Sequence, residues 1–129
     1  MSYISPIKDT RFILENLLES HAEIEKDTIE TVLEEAGKLA NDQIAPLNHS
    51  GDKNPPKLRQ DHEVETSPGF KEGFQAVASG GWIGVSSDPN YGGMGLPFRI
   101  AAAVNEYWQG ANLAFALCNL LSQGLMDAI

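Results

Sequence analysis

Apolar side chains recur along this chain at three- and four-residue intervals, the spacing of one face of an α-helix. Ile13, Leu14, Leu17 and Leu18 make the first such stripe and predict a helix over residues 10–20, with Asp9 as its cap and Glu15 and Glu19 off the buried face. A second stripe is longer: Ile29, Val32, Leu33, Ala36, Leu39, Ala40 and Ile44 repeat with the helical period. Asp27 and Glu30 stand three apart at its start, the spacing of a reciprocal capping pair. Glu34 and Lys38 add a favourable i, i+4 pair on the outside, and Pro46 is expected to end the helix near residue 44 or 45.

The pattern then lapses. Residues 48–68 hold turn chemistry (His49-Ser-Gly-Asp-Lys-Asn-Pro-Pro56) and a polar stretch in which Val64 is the apolar exception, so a long irregular loop is expected. Ser67 as cap and Pro68 at the first helical position predict a third helix with Phe70, Phe74, Val77 and Ala78 inside and Gly80-Gly81 as its stop. Trp82 follows as an expected core anchor, then a glycine loop, Tyr91-Gly-Gly-Met-Gly-Leu-Pro97. A fourth helix is predicted over 97–110, using Phe98, Ala101, Ala102, Val104, Asn105 and Trp108. Asn112 is expected to cap a fifth, from 113 to the end, which is apolar around most of its circumference and therefore buried from several sides. It reaches Ile129 with no stop signal and reads as a chain cut short. The class is all-α: one domain, a bundle of about five helices.

Composition narrows what such a bundle does. Of 129 residues, 42% are hydrophobic and 21% charged, enough apolar surface for a folded core. Eighteen acidic against nine basic side chains give a net charge of −9, the wrong sign for a nucleic-acid partner. No apolar run approaches the roughly 20 residues of a membrane span. The acidic N-terminal region fits neither a secretory nor a mitochondrial leader, so a cytoplasmic address is expected. Cys118 is the single cysteine, so no internal disulfide forms.

Candidate chemistry is sparse. His21, His49 and His62 are far apart in polar contexts and match no metal-ligand spacing; no metal site is assigned. Cys118, on the most apolar helix, reads as a buried, inert thiol. The loop Gly92-Gly93-Met94-Gly95 fails both the GxGxxG and P-loop patterns and reads as a tight turn rather than a phosphate cradle. Glu23, Glu25, Glu30, Glu34 and Glu35 form a solvated face. Glu106, between Val104 and Trp108, is expected to be partly buried in a structural role. Asn119 is the most informative polar residue, because an amide in an apolar helix must find partners. With Phe115 four residues earlier it makes an apolar wall bearing one polar group, the usual lining of a small-molecule cavity, or else simple packing.

The chain also resembles the acyl-CoA dehydrogenases. The resemblance is carried in colinear order by Tyr3-Ile-Ser-Pro-Ile-Lys-Asp-Thr-Arg-Phe12, by Ala40-Asn-Asp-Gln-Ile-Ala-Pro-Leu-Asn48 with Gly51-Asp52, and by Pro68-Gly-Phe-Lys71 with Gly80-Gly-Trp82. Asp88-Pro-Asn-Tyr-Gly-Gly-Met-Gly-Leu-Pro97, Glu106, Ala111-Asn112 and Gln123-Gly124 complete it. The branch it most resembles is the long bacterial enzymes of the 3-methylmercaptopropionyl-CoA dehydrogenase type. The resemblance implies an N-terminal helical domain of an FAD-dependent enzyme, with a middle β-domain and a C-terminal helical domain absent from this chain. Such enzymes oxidise an acyl-CoA to the 2-enoyl-CoA with a glutamate base and a flavin, and pass electrons to an electron-transfer flavoprotein. The Thr-Glu-Pro motif that meets the flavin is missing, and the family's base lies in the C-terminal domain. No catalytic, cofactor-binding or metal residue is therefore assigned here. By resemblance, Phe115 and Asn119 are substrate-binding positions at the floor of the acyl pocket.

The expectation is thus a domain that contributes one wall of an acyl pocket, is inactive alone, holds no FAD by itself and belongs to a homo-oligomer. The rival from another class is a stand-alone helical interaction module that uses its apolar last helix to bind a partner.

Overall fold

In a computed structural model, residues 3–18 and 25–128 are described, and His21, Glu19, Glu23 and Ile129 lie outside them. Among the described residues there are six α-helical segments: α1 Ile7–Asn16, α2 Lys26–Leu39, α3 Ala45–Lys53, α4 Phe70–Ser79, α5 Phe98–Ala111 and α6 Leu113–Asp127. A π-helical turn, Ala40–Ile44, fuses α2 and α3 into one rod, leaving five helical bodies and the all-α class expected. The core is centred on that rod and α5. Leu33, Ala36, Ala40 and Ile44 are fully buried, and Ile29, Val32 and Leu39 pack at their margins, as the stripe requires.

The start of α2 differs from the expected capping pair. Glu25 is the N-cap, and its backbone carbonyl takes the amides of Thr28 and Ile29, so Asp27 lies within the first turn. Glu30 turns instead to Arg11 of α1, an ion pair that Glu15 joins at 3.1 Å. Helix α1 itself begins three residues earlier than expected, just after Pro6, with Asp9 in its first turn where a negative charge suits the helix dipole. Its buried residues are Thr10 and Leu14, whereas Ile13, Leu17 and Leu18 are exposed.

Pro46 does not end the rod. The π-turn widens the hydrogen-bond register, so that Pro46 falls at the start of α3, where no amide is needed. The same turn presents Asn41, whose Oδ1 accepts from the Ser5 amide at 2.8 Å and the Ser5 hydroxyl at 3.0 Å, tying down the segment before α1. The expected long loop at 48–68 is in part regular structure. Helix α3 runs through Lys53, and Lys57–Leu58 (β1) pairs antiparallel with Val64–Glu65 (β2) across a turn where His62 takes φ 65°. Gly51 makes the tight fit possible, since a Cβ there would lie 2.8 Å from the Phe70 ring.

Helix α4 is entered from Gly69, at φ 83°, rather than from Ser67. Its inner face is Gly73 and Val77, with Phe70 half-buried and Phe74 and Ala78 outside. The glycine pair stops it as expected, Gly81 taking φ 76°. Trp82 is half-buried, its ring edge-on to Trp108 at 6.1 Å. The segment after it folds back on itself: the amides of Met94, Gly95 and Leu96 bond to the carbonyls of Gly84, Ser87 and Val85. Helix α5 is rotated from the expected face. Ala101, Val104 and Trp108 are buried as expected, but Ile100, Ala103, Tyr107 and Ala111 complete the face, while Phe98 and Ala102 are exposed.

Candidate functional site

The residues singled out as pocket positions both sit on α6, and the cap that orients that helix is the expected one. Asn112 Oδ1 accepts the Phe115 amide at 3.1 Å, satisfying a donor that the helix start would strand. Phe115 is 1% exposed and packs inward, edge-on to Phe70 at 5.8 Å and against Gly73, where a Cβ would approach its ring to 3.2 Å. One turn on, Asn119 is 6% exposed, and its Oδ1 has no hydrogen-bond partner among the described residues. The i, i+4 pair therefore shares a buried face. It adds an acceptor held out of water without a donor, which is costly unless another group supplies one.

A third polar residue of α6 continues that inner row. Gln123 donates to the Ile83 carbonyl at 3.2 Å and accepts from Asn105 at 3.0 Å, bracing α6 against α5 and the turn after α4. Sequence reasoning missed this tie, although the spacing of Asn112, Asn119 and Gln123 signals it, since seven and eleven residues bring a helix back to one side. The opposite side is open. Leu113, Leu117, Leu120, Leu121 and Leu125 are all exposed, Leu121 to 80%, so α6 is not buried from several sides. Isolated exposed leucines are ordinary; five on one helix form a contiguous apolar face of the kind another body covers.

Other candidates resolve differently. Cys118 is exposed rather than buried, because it falls between the inner row and the open face. Glu106 is exposed too, on the side of α5 away from the core. The described histidines, His49 and His62, are exposed, and no group of three metal-ligating side chains occurs among the described residues. In the glycine loop, the amides from Gly92 to Leu96 are each taken by a backbone carbonyl of residues 84–89. A Cβ on Gly93 would stand 2.0 Å from the Ser87 carbonyl oxygen, so glycine is needed there for close backbone approach. The loop is a turn, with no amides left to cradle a phosphate. Burial raises the Tyr107 phenol above its ordinary value; the Thr10 hydroxyl nearby moderates the shift without completing a hydrogen bond. Tyr3 is raised for the same reason. Neither phenol is poised for proton transfer near neutral pH.

No helix among the described residues is long and apolar enough to cross a membrane. No family model matches the chain. It is 34% identical to 3-methylmercaptopropionyl-CoA dehydrogenase of Ruegeria pomeroyi over 137 aligned residues, which cover all of this chain and 23% of that protein. It is 33% identical to the broad-specificity linear acyl-CoA dehydrogenase FadE5 of Mycobacterium tuberculosis over 94 residues, covering 72% of this chain and 15% of that protein. The chain thus spans less than a quarter of either relative's length. Its homologues are acyl-CoA dehydrogenases, and an all-α chain matching so short a part of them is consistent with their N-terminal helical segment.

Proposed function

We propose that this chain is the N-terminal helical domain of an FAD-dependent acyl-CoA dehydrogenase and supplies one wall of the pocket that holds the acyl group. The observation that carries the proposal is the division of α6. Its inner row is tied to α5 and the turn after α4 through Gln123, while five leucines face outward with nothing over them among the described residues. In this reading the middle β-domain and the C-terminal helical domain of the longer protein cover that face. Phe115 and Asn119 lie on the other, inner row and back that wall from the bundle side, Phe115 setting its depth and Asn119 holding an acceptor with no donor among the described residues.

The residues present do not fit an FAD site. The one glycine-rich loop has its amides committed to its own carbonyls, and the chain holds 9 basic side chains against 18 acidic ones, with no basic run to meet a dinucleotide's pyrophosphate. The flavin, the catalytic base and the docking of an electron-transfer flavoprotein therefore belong to other domains, and the chain alone is expected to be inactive. An open apolar face would equally suit a stand-alone interaction module; similarity running the whole length of this chain to a dehydrogenase favours the enzyme.

The test is a panel of acyl-CoA thioesters of increasing length, assayed with an artificial electron acceptor. The longer protein should turn them over and this chain, supplemented with FAD, should not. Phe115→Leu in the longer protein should move the preference toward longer acyl groups. Turnover by this chain alone, or a length profile untouched by Phe115→Leu, would overturn the respective part.

A further inference from the structure

A cleft of about 510 Å³ opens where the β1–β2 hairpin and the start of α4 face the first turns of α6. That volume lies within the roughly 300–1,000 Å³ of small-molecule sites, and its walls at Val64, Phe70 and Ala114 are apolar. Phe115 and Asn119 are not among its lining residues, so it is separate from the wall assigned to the acyl group. Asn112 does line it. This side chain is 1% exposed; its Oδ1 is committed to the α6 cap, and its Nδ2 has no partner among the described residues. A buried amide donor of this kind lacks both water and an acceptor, so an acceptor atom brought in by a ligand would recover a hydrogen bond that the fold leaves unmade.

The charge of that ligand follows from the rest of the lining. Asp52 places a carboxylate at the cleft and no basic side chain lines it, in a chain whose net charge is −9. A carboxylate ligand would be repelled and would lose its hydration against apolar walls. We propose that the cleft binds a small neutral molecule with an apolar body and a carbonyl oxygen (an amide, ester or ketone), whose oxygen accepts from Asn112 Nδ2.

Cys118 makes the proposal measurable, because it lines the same cleft, is exposed and is the chain's single cysteine. The rate at which iodoacetamide alkylates it in the full chain reports occupancy, with free glutathione correcting for reagent chemistry. N-hexylacetamide, the neutral probe, should slow alkylation saturably and shift the Asn112 side-chain NH2 resonances; hexanoate should protect more weakly. Asn112→Ser keeps a good capping oxygen but removes the donor, and should weaken protection about fivefold, the loss of one neutral hydrogen bond, with an unchanged circular dichroism spectrum. Absence of protection up to the solubility of N-hexylacetamide, equal protection in Asn112→Ser, or better protection by hexanoate would each overturn the proposal.

Discussion

Truncating Phe115 to alanine tests the packing on which the α6 assignment rests. The ring is 1% exposed, meets Phe70 edge-on at a centroid distance of 5.8 Å and an interplanar angle of 63°, and lies over Gly73. Removing a core phenylalanine costs about 3–5 kcal/mol through lost transfer energy and the cavity left behind. Loss of the edge-to-face pair argues for the upper part of that range. Phe70, however, also lines the open cleft and can relax toward the void, which argues for the lower part. We expect about 3–4 kcal/mol, or a melting point lower by about 10–15 °C for a chain of this length. Urea unfolding followed by far-UV circular dichroism measures it, and the slope should not change. The close fit adds an internal control. A Cβ on Gly73 would stand 2.8 Å from Leu47 Cδ1 and 3.2 Å from Phe115 Cε2, so Gly73→Ala should cost about 1–3 kcal/mol by overpacking. In the Phe115→Ala background part of that cost should vanish, since the alanine methyl then meets space. A Phe115→Ala loss below about 1 kcal/mol, or strictly additive changes in the double variant, would refute an inward-facing Phe115.

Two further expectations concern other parts of the core. Tyr107 is fully buried with no hydrogen bond to its hydroxyl, so Tyr107→Phe should leave stability at neutral pH unchanged or slightly higher. Burial raises its folded pKa above the unfolded value of about 10, so the stability tied to the neutral phenol is complete below that value and is lost as pH rises through the folded pKa; urea midpoints across that alkaline range should fall less steeply in the variant, with Tyr3 keeping part of the slope. Gly93→Ala places a methyl 2.0 Å from the Ser87 carbonyl and must break the turn that feeds α5; we expect a loss of at least about 3 kcal/mol, and a melting curve like that of the unaltered chain would contradict the close approach.

The rod and its stripe were legible because the long helical repeat is set by the core alone, and the Asn112 cap because a short polar side chain before an apolar helix has few other uses. Three features were not. Pro46 is an ordinary helix stop unless the backbone first widens into a π-turn, and no residue among Ala40–Ile44 announces one. The hairpin escaped because Leu58 and Val64, its apolar pair, are exposed, so no buried face writes alternation into the sequence. On α5 the expected face runs through Phe98 and Ala102 rather than Ile100 and Tyr107; yet Phe98 opens the first turn and is 70% exposed, while the Tyr107 ring is wholly inside. The candidate pair fared better in position than in surroundings. Phe115 and Asn119 do share a buried face, but the larger clefts are lined by other residues.

Helix α6 shows why periodicity alone could not assign its sides. A surface helix ordinarily turns its polar residues to water, and here the order is inverted. Asn112, Asn119 and Gln123 lie on the inner row with Phe115 and Ala116, while Leu113, Leu117, Leu120, Leu121 and Leu125 face outward. Apolar side chains occupy both sides, so no moment distinguishes in from out; the amides do, because each is held where a specific partner exists or is needed. Gln123 has its partners, Asn112 has one of two, and Asn119 lacks one for its oxygen. A helix that spends its polar groups on the inside and its leucines on the outside is stable in water only at the expense of exposed apolar area. That arrangement suits an element wedged between two bodies, one of them the bundle described here. It is the physical reason for placing the second body against the leucines, while Asn119 keeps its unpaired oxygen on the bundle side.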